Sequence, residues 1–365
     1  MSKTLILGFI YYLLFFGLSP INAFGLDLRI SLFQAQANNL PKKILITGQF
    51  KILNSSNQIF NGKYQIACIN QSLELKSIDL KPKILEQKPF FILQGRSIRL
   101  QFDRINRAYP NIIIIKPDNL CKLHFENIIS EKDYINIVTG SEMPNTWPAE
   151  ALKVQAILSQ SLMKQMLIKQ KQNKFKIYDS TQQQAYLGLD YVNENIKKSV
   201  NEVWGKYLKQ KEIYFHADCG GQNTSPVYFS GQTESANFKS IKCHGSQLSP
   251  FNKPHIFQLS KIKFQKLFNC SELKIIKKDE SGRPLLMELC HKKQISAYKF
   301  WLKIGQNFGW DKIPSTLFSL KSNKQNFIFT SIGAGHGVGV CQWGVYDLAT
   351  KGKNYETILD LQNQN

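Results

Sequence analysis

Short apolar runs separated by polar turn clusters dominate the first third of the chain. From Leu26 to about Phe125 the runs LDLRISLF, KILITGQFKIL, KYQIACI, FFILQGRSIRLQF and NIIIIK are divided by Asn54-Ser55-Ser56-Asn57, Asn61-Gly62 and Pro110-Asn111. Runs of this length and composition, punctuated by turn formers, predict strands. Near residue 147 the period changes. Trp147, Ala151, Val154, Leu158 and Leu162 recur in steps of three and four, which predicts a helix to about Lys171 with one buried stripe and with Lys153, Gln155 and Gln160 turned elsewhere. Trp147-Pro148 marks its start, since a first-turn proline forfeits no hydrogen bond and Thr146 can accept from an orphan N–H. A weaker helical pattern covers Val192 to Val203, a strand is expected near KYLKQKEIYFHA, and mixed structure follows. The expected class is α+β, with a β-rich N-terminal part followed by a mixed α/β domain containing a long central helix.

Met1 to Ala23 combines an early cation, Lys3, with the apolar run LILGFIYYLLFFGL and the small residue Ala23. This predicts a secretory signal cleaved near residue 23; the run is short for a membrane span, and anchoring through an uncleaved signal is the alternative. The expected organisation is a signal at 1–23, a β-rich region at 24–128 and a second domain at 129–365, exported from the cytoplasm. The net charge of +21 favours a polyanionic partner. Acidic cell-wall polymer or an anionic membrane surface suits an exported protein better than nucleic acid, for which no binding motif is present. Seven cysteines at 68, 121, 219, 243, 270, 290 and 341 can pair outside the cytoplasm. The order-respecting pairing is Cys68/Cys121, Cys219/Cys243 and Cys270/Cys290, with Cys341 free.

Three segments carry candidate chemistry. In GSEMPNTWPAEALKVQA, Glu142 stands outside the helical stripe beside Met143, Pro144 and Trp147, a setting that desolvates a carboxyl and lets it donate a proton near neutrality; a solvated loop glutamate is the plain alternative. In SIGAGHGVGVCQWGVY, glycines at 333, 335, 337, 339 and 344 surround His336, which suits close approach of a backbone to a ligand or a glycine-rich turn around a buried histidine. The segment lacks the Gly-Lys-Ser/Thr ending of a phosphate loop. His216-Ala217-Asp218-Cys219-Gly220-Gly221, with Cys243-His244 further on, offers ligands for zinc, or else a Cys219–Cys243 disulfide with His216 lining a cleft.

Taken together these residues resemble the SpoIID/LytB family of peptidoglycan lytic transglycosylases and amidase enhancers. Glu142-Met143-Pro144 with Trp147 and Glu150 to Ala156 matches that family's first motif; Gln184, Tyr186 and Gly188 match Q-x-Y-x-G. Phe215 to Gly221, Cys243 with Ser249-Pro250, Ser281 to Arg283, Ile313 to Phe318 and Gly335 to Leu359 follow in order, so the likeness runs from about Ile129 to Leu359. It implies that Glu142 is the catalytic acid and base, and that Trp147, Gln184, Tyr186, His336, Gln342 and Trp343 line the sugar site. It also implies glycan strands stripped of stem peptides as substrate, a cell-wall amidase as partner, no required cofactor, and zinc as an option at His216 and Cys219. One carboxyl suffices for such chemistry, whereas a hydrolase ordinarily needs two. A non-catalytic amidase enhancer is the competing reading. The chain departs from the family after Ala156: Gln160 stands where an Arg is usual and Leu162 where a Tyr is usual.

Overall fold

The computed structural model describes residues 28–362 except 56–57, 79–83, 172–175, 181–182, 210–211 and 230–241; the expected signal segment lies outside the described residues. The class is α+β, and the N-terminal part is β-rich. The chain forms two compact units, one of residues 1–146 and 155–207, the other of residues 147–154 and 208–365.

The first unit is organised by a nine-stranded sheet. In chain order its strands are β1 (Leu28–Ser31), β2 (Lys43–Ile52), β3 (Ile59–Ile69), β4 (Ser72–Ser77), β5 (Ile84–Lys88), β6 (Phe91–Phe102), β7 (Ile105–Pro117), β8 (Leu123–Ile129) and β9 (Ile177–Tyr178). The spatial order is β5-β4-β3-β2-β6-β7-β8-β1-β9, antiparallel except where β1 meets β9. Burial alternates along β2 and β6, so Ile44, Ile46, Phe50, Leu93, Ile98 and Leu100 face the core. The disulfide Cys68–Cys121 links the end of β3 to the β7–β8 connection.

Three helices complete this unit: α1 (Glu131–Glu142), most of α2 (Ala149–Lys171) and α3 (Glu194–Glu202). The periodicity of the sequence does not announce α1, but its caps are plain. Ser130 Oγ accepts from Asp133 N at 3.1 Å, and Glu131 and Asp133 occupy the first turn, where the helix dipole favours negative charge. The start of α2 falls one residue later than the pattern implies. The carbonyl of Pro148 already accepts from Ala151 N at 3.0 Å and Leu152 N at 3.2 Å, so the proline is the flanking residue rather than a member of the first turn.

The single-stripe expectation for α2 is corrected. Gln155 and Gln160 are fully buried alongside Val154 and Leu158, so the helix is enclosed over its middle turns. Amides stay buried only when hydrogen-bonded, and both are. Gln155 Nε2 donates to Ser159 Oγ at 3.1 Å; Gln160 Nε2 donates to the Val203 carbonyl at 3.2 Å while its Oε1 accepts from Gly205 N at 2.9 Å.

The second unit holds three small sheets. Strands β10 (Phe215–His216) and β17 (Val340–Cys341) run parallel; β11 (His255–Ser260), β16 (Asn326–Ser331) and β15 (Phe318–Ser322) form an antiparallel trio, as do β12 (Leu273–Lys278), β13 (Pro284–Leu289) and β14 (Gln294–Ser296). The strand expected over residues 206–217 reduces to the short β10. Helices α4 (Lys261–Phe268) and α5 (Ala297–Phe308) pack on a core of Phe264, Phe300, Trp301, Ile304, Phe327 and Phe329, next to the disulfide Cys270–Cys290. Helices α6 (Gln342–Thr350) and α7 (Tyr355–Gln362) close the chain, and Glu150 Oε2 holds the start of α7 by accepting from Tyr355 N at 2.7 Å.

Candidate functional site

In the first unit, Glu142 is the last residue of α1 rather than a loop residue, and its side chain is half-buried. The Gln184–Leu187 segment is bonded onto this helix end: Ala185 N donates to Glu142 Oε1 at 2.5 Å and Leu187 N donates to Ser141 Oγ at 3.0 Å. Burial chiefly, and then the charge of Glu142, push the Tyr134 phenol well above its ordinary range. A half-buried carboxyl oriented by a backbone N–H is placed to exchange a proton with a bound ligand.

Gln184 and Tyr186 are corrected as ligand-contacting residues. Tyr186 is fully buried, stacked between Tyr109 at 5.9 Å and Tyr134 at 5.5 Å, with its hydroxyl donating to Asn127 Oδ1. Gln184 is 1% exposed, with Nε2 3.5 Å from both the Tyr134 hydroxyl and the Ser159 carbonyl. Both build the wall behind Glu142, because neither offers a solvent-facing atom. Gly188 extends the same support: its φ is +95° and a Cβ would fall 2.4 Å from the Ala108 carbonyl, so only glycine fits.

In the second unit the strand pairing brings together donors that sequence order keeps apart. His216 faces Cys341 across β10 and β17, while Cys243 N donates to the Gly221 carbonyl at 3.0 Å. The Cys219, Cys243 and Cys341 side chains form one buried cluster, and His216 is buried beside it. The donor atoms of His216, Cys219 and Cys341 all lie within 4.8 Å of one another. His216 Nδ1 donates to the Val338 carbonyl at 3.0 Å, leaving Nε2 buried with no hydrogen-bond partner among the described residues. This is how a ligating imidazole is ordinarily oriented. Hydrogen bonds from Cys243 and Cys341, then His216, push the Cys219 thiol far down. Cys243 is pushed up by its bond to Cys219, and Cys341 is pushed up first by burial. Three thiols and one imidazole fit the donor set of a tetrahedral zinc site.

The expected Cys219–Cys243 disulfide is not formed; both remain thiols, and Cys341 joins them, whereas Cys68/Cys121 and Cys270/Cys290 pair as expected. Linear order could not reveal this convergence, which depends on the parallel pairing of β10 with β17. The spacing of the glycines around His336 gave the nearest clue. Their close approach is to protein rather than ligand: a Cβ on Gly339 would lie 2.1 Å from the Tyr214 carbonyl and one on Gly337 2.4 Å from Arg283 Cζ. Arg283 is wholly buried, donating through Nη2 to the Cys219 carbonyl at 2.6 Å and through Nη1 to the Gln222 carbonyl at 2.5 Å, so it staples the thiol-bearing turn.

His336 is half-buried, with Phe229 5.3 Å and His216 5.7 Å from its ring. Lost solvation first, and the nearby cationic groups second, hold its basicity well below the usual histidine range. Trp147, Trp343 and Tyr346 form a trio with ring centroids 4.8 to 5.2 Å apart; Trp147 is buried and the other two are half-buried. Gln342, at the first turn of α6, is 6% exposed.

Residues 122–209, which include Glu142 and the segment bonded to it, match the SpoIID model, described as Stage II sporulation protein. Stage II sporulation protein D of Bacillus subtilis is 26% identical over 264 residues, covering 64% of this chain and 72% of that protein. The matched segment and this likeness together support assignment to the SpoIID family. Stage II sporulation protein D of Bacillus amyloliquefaciens is likewise 26% identical, over 262 residues, with the same shares covered. An uncharacterized protein of Brachyspira hyodysenteriae is 26% identical over 252 residues, 64% of this chain; the chain spans 65% of that relative's length. SpoIID membership goes with a cell-wall related role. The thiol–imidazole centre lies beyond the segment that the SpoIID model matches.

Proposed function

We propose that this SpoIID chain is a peptidoglycan lytic transglycosylase acting on denuded glycan strands, with Glu142 as acid and base. The observation that carries the reading is the half-buried Glu142 carboxyl, presented at the end of α1 and held by Ala185 N within the SpoIID-matched segment. The carboxyl protonates the glycosidic oxygen as the C1–O bond breaks. The C6 hydroxyl of the same sugar closes on C1, and its proton returns to the carboxylate, leaving a 1,6-anhydro-N-acetylmuramic end. No water is consumed. The net charge of +21 suits strands whose lactyl carboxylates are exposed. The two disulfides support export to an oxidising compartment, at the wall or in the periplasm.

Zinc, when bound, would supply a rigid cross-link rather than a reagent. His216, Cys219 and Cys341 would hold it, with the Cys243 thiol packed in the same cluster as the candidate fourth donor.

The decisive test incubates the protein without residues 1–23 with amidase-treated glycan and examines the products by mass spectrometry for anhydro ends. Glu142→Gln is expected to lower the yield by roughly 10²- to 10⁴-fold. Absence of anhydro product from the intact protein would sink the enzymatic reading in favour of an amidase enhancer. An equal yield from the variant would remove only Glu142.

A further inference from the structure

Trp343 is bracketed by the same three segments that carry the imidazole and the three thiols of the thiol–imidazole centre. It follows Cys341 by two positions in the chain. Its N–H donates to the Ala217 carbonyl at 3.1 Å, inside the stretch from His216 to Cys219. Gly245, just past Cys243, lies so close that a Cβ there would stand 2.3 Å from the Trp343 carbonyl oxygen. The backbone of Trp343 therefore has little freedom while those segments stay together.

Its side chain is set just as narrowly. The indole meets Trp147 edge-on at 5.0 Å and Tyr346 at 5.2 Å, contacts that hold an aromatic ring in one orientation. Trp343 and Tyr346 each keep part of their surface open to solvent. A supported, partly exposed indole suits the C–H face of a neutral pyranose ring, which buries apolar area without requiring a charged partner. Free thiols bind one another weakly, whereas metal–thiolate bonds would lock the three segments in register.

We propose that the thiol–imidazole centre is the clamp that positions Trp343, so that metal occupancy controls the binding of pyranose chains by the second unit. This rests on the reading that the centre holds zinc. The clamp couples a buried cross-link to a surface of different chemistry, through the Ala217–Trp343 hydrogen bond and the Gly245 contact.

An N-acetylglucosamine oligomer is titrated calorimetrically into the full chain, zinc-loaded and after chelation, with metal content measured separately. Chelation, Cys341→Ser and Trp343→Ala are each expected to weaken binding about three- to tenfold, the scale of one aromatic contact, and Trp343→Phe to retain most of it. Gly245→Ala presses on the Trp343 carbonyl without touching a donor, so it should weaken sugar binding while zinc content stays unchanged. Equal affinity of loaded and chelated protein overturns the clamp. No binding by the loaded protein, or unaltered binding by Trp343→Ala, overturns the sugar surface. A chain that takes up no zinc overturns the metal reading, and Gly245→Ala then still decides whether the bracket sets Trp343. Should Cys341→Ser fail to fold, chelation of the unaltered chain carries the same comparison.

Discussion

Gln160 shows how much a single residue's meaning depends on its surroundings. In sequence it marks a departure from the family pattern, in which an Arg is usual. In the structure its amide is wholly buried and bonds the Val203 carbonyl and Gly205 N, finishing the end of α3. Gln160→Ala is therefore expected to cost about 1–3 kcal/mol in urea unfolding, because it strands a buried carbonyl and an N–H. Unaltered stability would show that those groups find other partners. Glu142 behaves differently. Its residue type and its motif were legible, whereas its anchoring by Ala185 N required the Gln184–Leu187 segment to be brought back onto α1.

Among the elements, α1 is the sharpest example of structure that periodicity does not reveal. Its apolar side is interrupted by Asn136, Thr139 and Gly140, and Gly140 is there for packing. A Cβ at Gly140 would lie 2.3 Å from the Tyr191 carbonyl oxygen. In an exposed helix, glycine to alanine gains about 1 kcal/mol. Here the gain is expected to be cancelled or reversed, to a net loss of up to about 2 kcal/mol, since the clash is with backbone and costs about 1–3 kcal/mol. Chemical denaturation reads the sign directly, and a stabilised variant would contradict the close packing. The long helix α2 was readable at both ends, because aliphatic spacing and proline chemistry are local. The enclosure of its middle turns was not, since the polar side of a helix can be covered by any neighbour able to satisfy its amides.

At the scale of the whole molecule, two compact units share one chain, and His216 and the three thiols of the thiol–imidazole centre all belong to the second. Removing a bound metal should therefore lower the melting temperature of the second unit by at least several degrees and leave the first nearly unchanged, because a ligand stabilises only what it binds. Scanning calorimetry with and without chelator tests this. Parallel shifts of both units, or none, would count against a metal confined to that centre.

The sequence alone determined the α+β class, the strand-rich beginning, the long helix after Trp147, two of the three expected disulfide pairs and the family to which Glu142 belongs. Each of these rests on local chemistry or on motifs that stay recognisable along a line. Tertiary structure alone decided that Gln184 and Tyr186 are wall rather than surface, that the glycines around His336 make room for Tyr214 and Arg283, and that Cys341 joins His216, Cys219 and Cys243. The reason is common to all three. Burial, close approach and metal geometry are set by what lies opposite in space, and pairings such as β10 with β17 join positions more than a hundred residues apart, a relation no local pattern encodes.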